Sequence, residues 1–370
     1  MAQVIIREAS YDHYESLKET IFFMLESICG KRIGAGDKVL LKPNLLSPSA
    51  PKTAILTHPL VARAAAEYVL SKGARPTLSD SSAMGTFSRI MNAGGFRETL
   101  KDLDLELKEF TDSVEVDVGA PFGRIEIARE ALETALIINL PKLKSHSQML
   151  LTLGVKNTFG CIVGLRKVEW HMKAGVDSDM FARLLVQIHH TVAPTATVLD
   201  GIVGLEGDGP GKGGDPRHIG VVMASESAVA LDMAVCTMLG MQTDSLPTTR
   251  AAGRLGLIPE TINLDGVLPK VENFKLPGKT SLIYGPKPLQ HMIRKYLLQR
   301  PVVDKNACIL CEECVDFCPA DAITRKGDTL AFAYDRCIRC YCCIEICPQG
   351  ALHARNTSAG KLMRQFIRRK

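Results

Sequence analysis

Eight cysteines in the last quarter of the chain fall into two runs with the same spacing. The first run is Cys308-x2-Cys311-x2-Cys314-x3-Cys318-Pro319, and the second is Cys337-x2-Cys340-x2-Cys343-x3-Cys347-Pro348. Three thiolates spaced by two residues can wrap one cubane on a tight loop, and in bacterial two-cluster ferredoxins the fourth cysteine ligates the other cluster. The spacing therefore predicts two [4Fe–4S] clusters with crossed ligand sets: Cys308, Cys311, Cys314 and Cys347 for one, and Cys337, Cys340, Cys343 and Cys318 for the other.

Tetrahedral zinc is the alternative that the same soft thiolate ligands allow. A zinc site needs only four ligands and gives no reason for two equal runs that each end in Cys-Pro, so the pattern favours iron–sulfur clusters. Cys342 lies inside the second run without fitting its spacing. We interpret it as a small apolar side chain near a cluster rather than a ligand.

The chain of 370 residues is long for a single core, and its composition, 46% hydrophobic and 23% charged, is that of a soluble globular protein. No apolar run approaches the roughly 20 residues of a membrane span, and the first residues lack the features of a signal peptide. We therefore predict a cytoplasmic protein. The net charge of +5 comes from basic residues in 286–303 and 351–370, so a general nucleic-acid binder is not expected.

Four segments are predicted from these patterns. Residues 1–285 alternate short apolar strands with amphipathic helices, which is typical of an α/β domain with a mostly parallel sheet. Residues 304–350 form a small α+β ferredoxin-like domain. A basic helical linker at 286–303 and a basic amphipathic tail at 351–370 flank it, and these either pack on the ferredoxin-like domain or face anionic lipid or a partner.

Polar residues gather where the predicted strands of the larger domain end. In open α/β sheets, ligands bind outside the carboxyl ends of the strands, so these segments are expected to converge on one cleft. Lysines beside apolar strands need partners, and they indicate an anionic ligand such as a carboxylate or a phosphate. The expected substrate-binding residues are Lys42, Asn44, Asp80, Lys142, Lys144, Asn157 and Glu206.

Four residues are candidates for catalysis in that cleft: His146, His171, Lys156 and Asp200. The histidines are possible proton donors, or metal ligands together with Asp200 or Asp80, although a lone histidine is more often structural. The glycine-rich segment 207–214 contains Pro210 and does not open a helix, so it is not a dinucleotide fingerprint. It is either a flexible loop or one whose amide groups meet an anion.

The motifs of the larger domain resemble those of the family known as domain of unknown function 362. The resemblance covers roughly residues 35–250 and rests on Lys42-Pro-Asn44, Leu140-Pro-Lys-Leu-Lys-Ser-His146, Val155-Lys-Asn-Thr-Phe-Gly160 and Asp200-Gly-x4-Glu-Gly-x-Gly-Pro210. Members often carry a two-cluster ferredoxin module after this domain. The resemblance implies the domain layout and marks the motif positions as site residues, but it implies no reaction, and Ser145 stands where threonine is common.

The leading hypothesis is an iron–sulfur oxidoreductase. Its clusters would pass single electrons from a soluble donor protein to an anionic small molecule in the α/β cleft. Two alternatives remain open. One is a non-enzymatic electron carrier whose α/β domain docks a redox partner, and the other is a chaperone that transiently holds a metal on its Asp and His residues.

Overall fold

The computed structural model describes residues 1–82, 85–164, 166–173, 177–277, 299–318, 320–337, 339–355 and 357. Within this part of the chain the strands are β1 (Ala2–Glu8), β2 (Lys38–Pro43), β3 (Arg75–Asp80), β4 (Glu106–Glu109), β5 (Ser113–Asp117), β6 (Arg124–Ala128), β7 (Leu136–Leu140), β8 (Lys142–His146), β9 (Leu150–Thr152), β10 (Ala196–Gly207), β11 (Gly214–Ser225), β12 (Ile262–Asp265), β13 (Arg300–Val303), β14 (Ile323–Lys326), β15 (Thr329–Phe332) and β16 (Leu352–Arg355).

The helices are α1 (Tyr14–Cys29), α2 (Pro59–Ser71), α3 (Phe87–Ala93), α4 (Phe96–Thr99), α5 (Arg129–Glu133), α6 (Gly154–Asn157), α7 (Arg166–Lys173), α8 (Ser178–Val192), α9 (Ala228–Met238), α10 (Pro247–Arg254), α11 (Glu313–Asp316) and α12 (Cys342–Ile346). Among the residues that these ranges cover, no helix is both long enough and apolar enough to cross a membrane.

Strands β1 to β12, apart from the β5–β6 hairpin, form one large sheet in the order β12-β1-β11-β10-β7-β2-β3-β4, with β8 beside β10 and β9 beside β8. The run from β10 through β7, β2 and β3 to β4 is parallel, and β11 pairs antiparallel with β10 and β1. This confirms the predicted α/β class. Within residues 103–128, β5 and β6 form an antiparallel hairpin, whereas β4 pairs parallel with β3 and extends the large sheet.

Helices cover both faces of this sheet, because its buried strands carry apolar residues in succession. Leu41 packs with α1 and α2 on one face, and its neighbour Leu40 packs with α8 on the other. Helix α2 begins at Pro59, where the ring nitrogen Nδ1 of His58 accepts a hydrogen bond from the Leu60 amide. The layers therefore hold the carboxyl ends of β2, β3 and β4 rigidly at one edge.

The small domain (residues 299–355) is built from two similar halves. Strand β13 pairs antiparallel with β16, and β14 pairs with β15. The offset that separates Cys308 from Cys337 also relates β13 to β15, β14 to β16 and the start of α11 to the start of α12. Each half is thus a strand, a cysteine loop, a short helix and a second strand.

The boundaries predicted for the small domain differ from this arrangement. Residues 300–303 were assigned to the linker and residues 352–355 to the tail, yet they form the paired strands β13 and β16. Pro301 is compatible with a strand here because β13 lies in a two-stranded ribbon, where one edge of each strand is free. The helices predicted for the rest of the linker and of the tail lie outside the described residues.

Candidate functional site

A cavity of about 280 Å³ opens at the carboxyl ends of β2, β3 and β4, between the large and the small domain. Asn44, Asp80 and Glu109 reach it from these three strand ends. Six further polar or charged residues line it from the large domain: Ser81, Ser82, Lys156, Asn157, Lys167 and His171. The small domain closes the other side with Phe317, Cys342 and Ile346.

Lys42 lies directly behind this cavity and is fully buried. Its Nζ donates to Asp80 Oδ1 at 3.0 Å and to the Pro43 carbonyl at 3.1 Å, and Asp80 Oδ2 accepts from the Leu45 amide at 3.0 Å. A Cβ at Gly160 would collide with both Asp80 and Lys42. The Lys42–Asp80 ion pair therefore requires glycine at position 160. The ion pair connects the ends of β2 and β3 beneath the cavity.

The two asparagines of the site connect the cavity to the sheet. Asn44 Nδ2 donates to Asn157 Oδ1 at 3.0 Å, and Asn44 Oδ1 accepts from Lys144 Nζ at 2.7 Å. Asn157 Nδ2 in turn donates to Asn139 Oδ1 at 2.8 Å. Lys144 also donates to the Ile55 carbonyl. Lys144 thus does not line the cavity itself, but its hydrogen bond positions the side chain of Asn44, which does.

Helix α7 presents Lys167 and His171, one turn apart, to the same cavity. Burial lowers the pKa of Lys167 to about 8, while the nearby Asp80 carboxylate opposes that shift. Its Nζ donates to the Ser81 carbonyl. The ring of His171 lies 4.5 Å from that of Phe181 and 5.5 Å from that of Phe159, measured between centroids. Apolar rings thus fix the position of His171 at the wall.

Lys142 and Asp200 form a second buried group away from the cavity. Lys142 Nζ donates to Asp200 Oδ2 at 2.8 Å and to Tyr11 Oη at 2.9 Å, and Tyr11 donates to Asp200 Oδ1 at 2.5 Å. Burial lowers the pKa of Lys142, and Asp200 opposes the shift. The ring of Tyr11 stacks on His58 at 3.7 Å between centroids. This group joins β8, β10, α2 and the chain before α1.

His146 and Glu206 also lie apart from the cavity. His146 is fully buried, and its Nδ1 accepts from the amides of Gln148 and Met149 at 3.1 Å, which holds the turn between β8 and β9. Glu206 pairs with Arg217 at 2.8 Å across the β10–β11 hairpin and accepts from the Lys275 amide at 3.0 Å. The glycine-rich segment is the turn of that hairpin, and its Lys212 lies against Gly350 of the small domain.

The single cleft expected from the sequence is therefore divided. Asn44, Asp80, Lys156, Asn157 and His171 line the cavity; Lys42 and Lys144 support it; Lys142, Asp200, His146 and Glu206 lie elsewhere. Sequence reasoning missed Glu109, Phe317 and Ile346 as cavity residues. Glu109 could have been found as a polar residue at a parallel strand end, where Ser82 Oγ donates to it at 2.7 Å.

The outer loop (residues 308–314) and the inner loop (residues 337–343) carry the first three cysteines of each run. A second cavity is lined by all four thiols of the first predicted set, namely Cys308, Cys311, Cys314 and Cys347. Among the described residues, no three His, Cys, Asp or Glu side chains converge on the position of one metal ion. The thiols instead surround a space, as ligands of a polynuclear cluster do.

The electrostatic neighbours of the buried thiols follow the same two sets with one exception, which is Cys314 of the first set beside Cys343 of the second. Burial raises the pKa of Cys314 to about 12, and the next causes are Cys347, Cys311 and Cys308. Burial also raises the pKa of Cys343, followed by Cys340, Cys337, Cys314 and Cys318. The backbone amides of Ala322 and Ala351 donate to Cys318 Sγ at 3.2 Å and Cys347 Sγ at 3.1 Å. The residues present thus fit [4Fe–4S] clusters, since each cluster takes four Cys thiolates and hydrogen bonds to sulfur tune its reduction potential.

Both halves of the small domain contribute residues to the cavity wall. Phe317 precedes Cys318, and Cys342 precedes Cys343, so two ligands of the second predicted set adjoin residues of the cavity wall. The outer loop is turned away, with Cys311 exposed and Ile309 60% exposed. Ile346 of the wall likewise precedes Cys347 of the first set, so the second set (Cys318, Cys337, Cys340 and Cys343) has two members next to wall residues along the chain and the first set has one.

Comparison with known proteins supports the division into two parts. The family model of domain of unknown function (DUF362) matches residues 39–237, and that of a 4Fe-4S dicluster domain matches residues 300–348. A thylakoid-associated protein of Synechocystis sp. is 38% identical over 280 residues, which cover 74% of this chain and 87% of that protein. The lactate racemase apoprotein from Thermoanaerobacterium thermosaccharolyticum superposes with a TM-score of 0.40 at 12% identity, over 62% of this chain and 55% of its own. The chain thus belongs to the DUF362 family and binds [4Fe–4S] through a dicluster domain that follows the family domain.

Proposed function

We propose that this protein is an iron–sulfur oxidoreductase that passes single electrons to an anionic small molecule bound in the cavity between its two domains. The observation that carries the proposal is the composition of the cavity wall. Lysines of the family domain stand on one side, and residues adjoining cluster cysteines stand on the other. When bound, two [4Fe–4S] clusters would supply the electrons one at a time.

Lys156 and Lys167 give the cavity its preference for an anion. Both line it from the large domain, the carboxylate of Asp80 is already engaged by Lys42, and that of Glu109 accepts a hydrogen bond from Ser82 Oγ. Ammonium groups in a partly enclosed cavity attract a carboxylate or a phosphate more strongly than they do in open water. Leu45, Leu46 and Phe159 form an apolar wall beside them. The ligand that fits is therefore an anion with an apolar body.

Lys167 is also placed to supply a proton. Its pKa of about 8 means that the group exchanges protons near neutral pH, as a general acid requires. His171 stands one helical turn away in the same wall. A substrate that accepts an electron gains negative charge, and protonation by Lys167 would neutralise it. Lys156 would hold the anionic group during this step.

The outer loop is the proposed entry point for electrons. Cys311 and Ile309 are exposed there, so a soluble donor protein can approach the outer ligand set directly. The same exposure supports a second candidate function, in which the protein only carries electrons between two partner proteins. The two functions differ in whether any small molecule reoxidises the reduced protein.

The test is an anaerobic reoxidation assay. The iron-loaded full chain is reduced, excess reductant is removed, and a panel of aromatic and aliphatic carboxylates and phosphate esters is added while the absorbance of the clusters is followed. The proposal predicts that one chemical class reoxidises the protein, and that Lys156→Ala and Lys167→Met each slow this at least about tenfold. Lys101→Ala, at an exposed position that does not line the cavity, is the matched control. If only protein acceptors reoxidise the wild type, the electron-carrier function replaces the enzyme.

A further inference from the structure

We propose that Arg339 donates hydrogen bonds to the cluster held by Cys318, Cys337, Cys340 and Cys343, and thereby raises its reduction potential above that of the other cluster. The inference rests on the proposed function for the presence of two clusters, and it deepens that function by giving the direction of electron flow. Arg339 stands between Cys337 and Cys340 in the inner loop.

The observation behind the proposal is a buried guanidinium with two nitrogens that lack a hydrogen-bond acceptor among the described residues. Arg339 is 4% exposed, and its Nε and Nη2 have no hydrogen-bond acceptor in the described part of the chain. Its Nη1 makes only a long contact of 3.5 Å to the Cys337 carbonyl. Arginine cannot lose its proton, and a buried cation without an anionic partner costs several kcal/mol. The buried guanidinium of Arg339 therefore requires a hydrogen-bond acceptor next to it.

A [4Fe–4S] cluster with four thiolate ligands is the anion that the sequence predicts there. Around Arg339 the described residues supply an aromatic ring instead of a carboxylate, since the guanidinium carbon lies 5.3 Å from the centroid of Tyr334. Ring faces attract cations but do not satisfy several N–H groups at once. The sulfurs of a cluster held by the neighbouring cysteines would accept these hydrogen bonds.

The outer loop has no equivalent group. Leu310 occupies the position that Arg339 has in the inner loop, and both residues have a positive φ, 55° and 61°. The two loops therefore follow a similar path but present an apolar side chain in one case and a cation in the other. Hydrogen bonds and positive charge favour the reduced, more negative state of a cluster, so the inner potential is the higher one.

This difference directs a single electron toward the cavity. A low-potential one-electron carrier protein is oxidised as it reduces the outer cluster. The outer cluster then returns to its oxidised state as the same electron reduces the inner one, whose ligands adjoin Phe317 and Cys342 of the cavity wall. Arg339 is a positioning residue in this scheme, because it acts through the cluster and does not touch the substrate.

The test is a potentiometric titration of the iron-loaded full chain, followed by EPR and without any cavity ligand. The wild type should show two midpoint potentials. Arg339→Leu should lower one of them by at least about 59 mV, which corresponds to a tenfold change for a one-electron couple, and leave the other in place. Leu310→Arg should raise the other midpoint. Arg336→Leu, at an exposed position of the same half, should move neither.

Two results would overturn the inference: unchanged midpoints in Arg339→Leu at full iron content, or an equal shift from Arg339→Leu and Arg336→Leu. If Arg339→Leu does not retain iron, Arg339→Gln keeps a neutral donor, and it should lower the same midpoint by a smaller amount. An unchanged midpoint in that variant counts equally against the proposal. Because no substrate is added, a failure to find one would overturn the proposed enzyme and leave this result standing.

Discussion

The outer and inner loops of the small domain have the same cysteine spacing, and both pass through positive φ values at the same two positions, Leu310 and Glu312 in one and Arg339 and Tyr341 in the other. Their surroundings differ. Cys311 is exposed, whereas its counterpart Cys340 is 8% exposed, and Tyr341 is buried where Glu312 reaches solvent. The spacing thus determines which group the two loops can bind, and their burial determines how far each loop is exposed to solvent and to partner proteins.

The largest expected effect of this difference is on stability. Ile346 is buried at the cavity wall, and Ile309 is 60% exposed beside Cys308. Ile346→Ala should lower the free energy of unfolding by about 3 kcal/mol, because it leaves a cavity where the domains meet. Ile309→Ala should change it by less than about 0.5 kcal/mol. Urea unfolding of both iron-loaded variants measures the comparison, and equal losses would contradict it.

The next effect is on the binding of an anion in the cavity, and on the pH dependence of that binding. Lys167, with a pKa of about 8, carries its charge below that pH and loses it above. The affinity for benzoate, used as an anionic probe with an apolar ring, should therefore be constant below pH 8 and fall by up to about tenfold per pH unit above it, since only the protonated form attracts the anion. Calorimetric titration across pH 6 to 10, roughly the range that brackets this pKa, follows the change.

Lys167→Met should weaken benzoate binding at pH 7 by at least about tenfold, or about 1.4 kcal/mol, and remove the pH dependence. The matched control is Lys305→Met, which changes an exposed lysine beside the outer loop and should leave binding unaltered. A pH profile that persists in Lys167→Met would assign the titration to another group and break the link between Lys167 and the anion.

The smallest effect concerns one hydrogen bond of the inner loop. Tyr341 Oη donates to the Gln299 carbonyl at 3.0 Å, and both residues are buried. Tyr341→Phe should cost about 1 to 2 kcal/mol, because it leaves a buried carbonyl without its donor. The outer counterpart Glu312 makes an exposed ion pair with Arg325 at 2.7 Å, and Glu312→Gln should cost at most about 1 kcal/mol. Thermal unfolding of the two variants measures both losses of stability. A larger loss in Glu312→Gln than in Tyr341→Phe would contradict this prediction.

The sequence predicts best those features whose residues lie close together along the chain. The cysteine spacing predicts both ligand sets because three ligands of each set share one short loop, and these sets stay a prediction. The ends of β2 and β3 are also predicted, since an apolar run that stops at Lys42-Pro-Asn44 or Asp80-Ser81 marks a parallel strand end. These two ends do meet at the cavity.

The features that sequence reasoning misses depend on contacts between distant segments. Lys142 and Asp200 were expected in the cleft. However, β8 begins after Pro141 and pairs with β10, so Lys142 and Asp200 lie side by side and form an ion pair with each other. Phe317 and Ile346 were not expected at all, because no local pattern tells which face of the small domain meets the large one. The offset that separates Cys308 from Cys337 also relates β13 to β15 and β14 to β16. Strands β13 and β16 could therefore have been predicted by extending this repeat to the residues that flank the cysteine runs.

The most direct test of the account is whether a ligand in the cavity is sensed by only one of the two clusters. EPR spectra of the fully reduced iron-loaded chain are recorded with and without saturating benzoate, and with Lys167→Met as the control that does not bind. The account predicts that benzoate changes the spectrum of the cluster whose midpoint responds to Arg339→Leu and leaves that of the other unchanged. A change confined to the other cluster, or bound benzoate that alters neither spectrum, would contradict it.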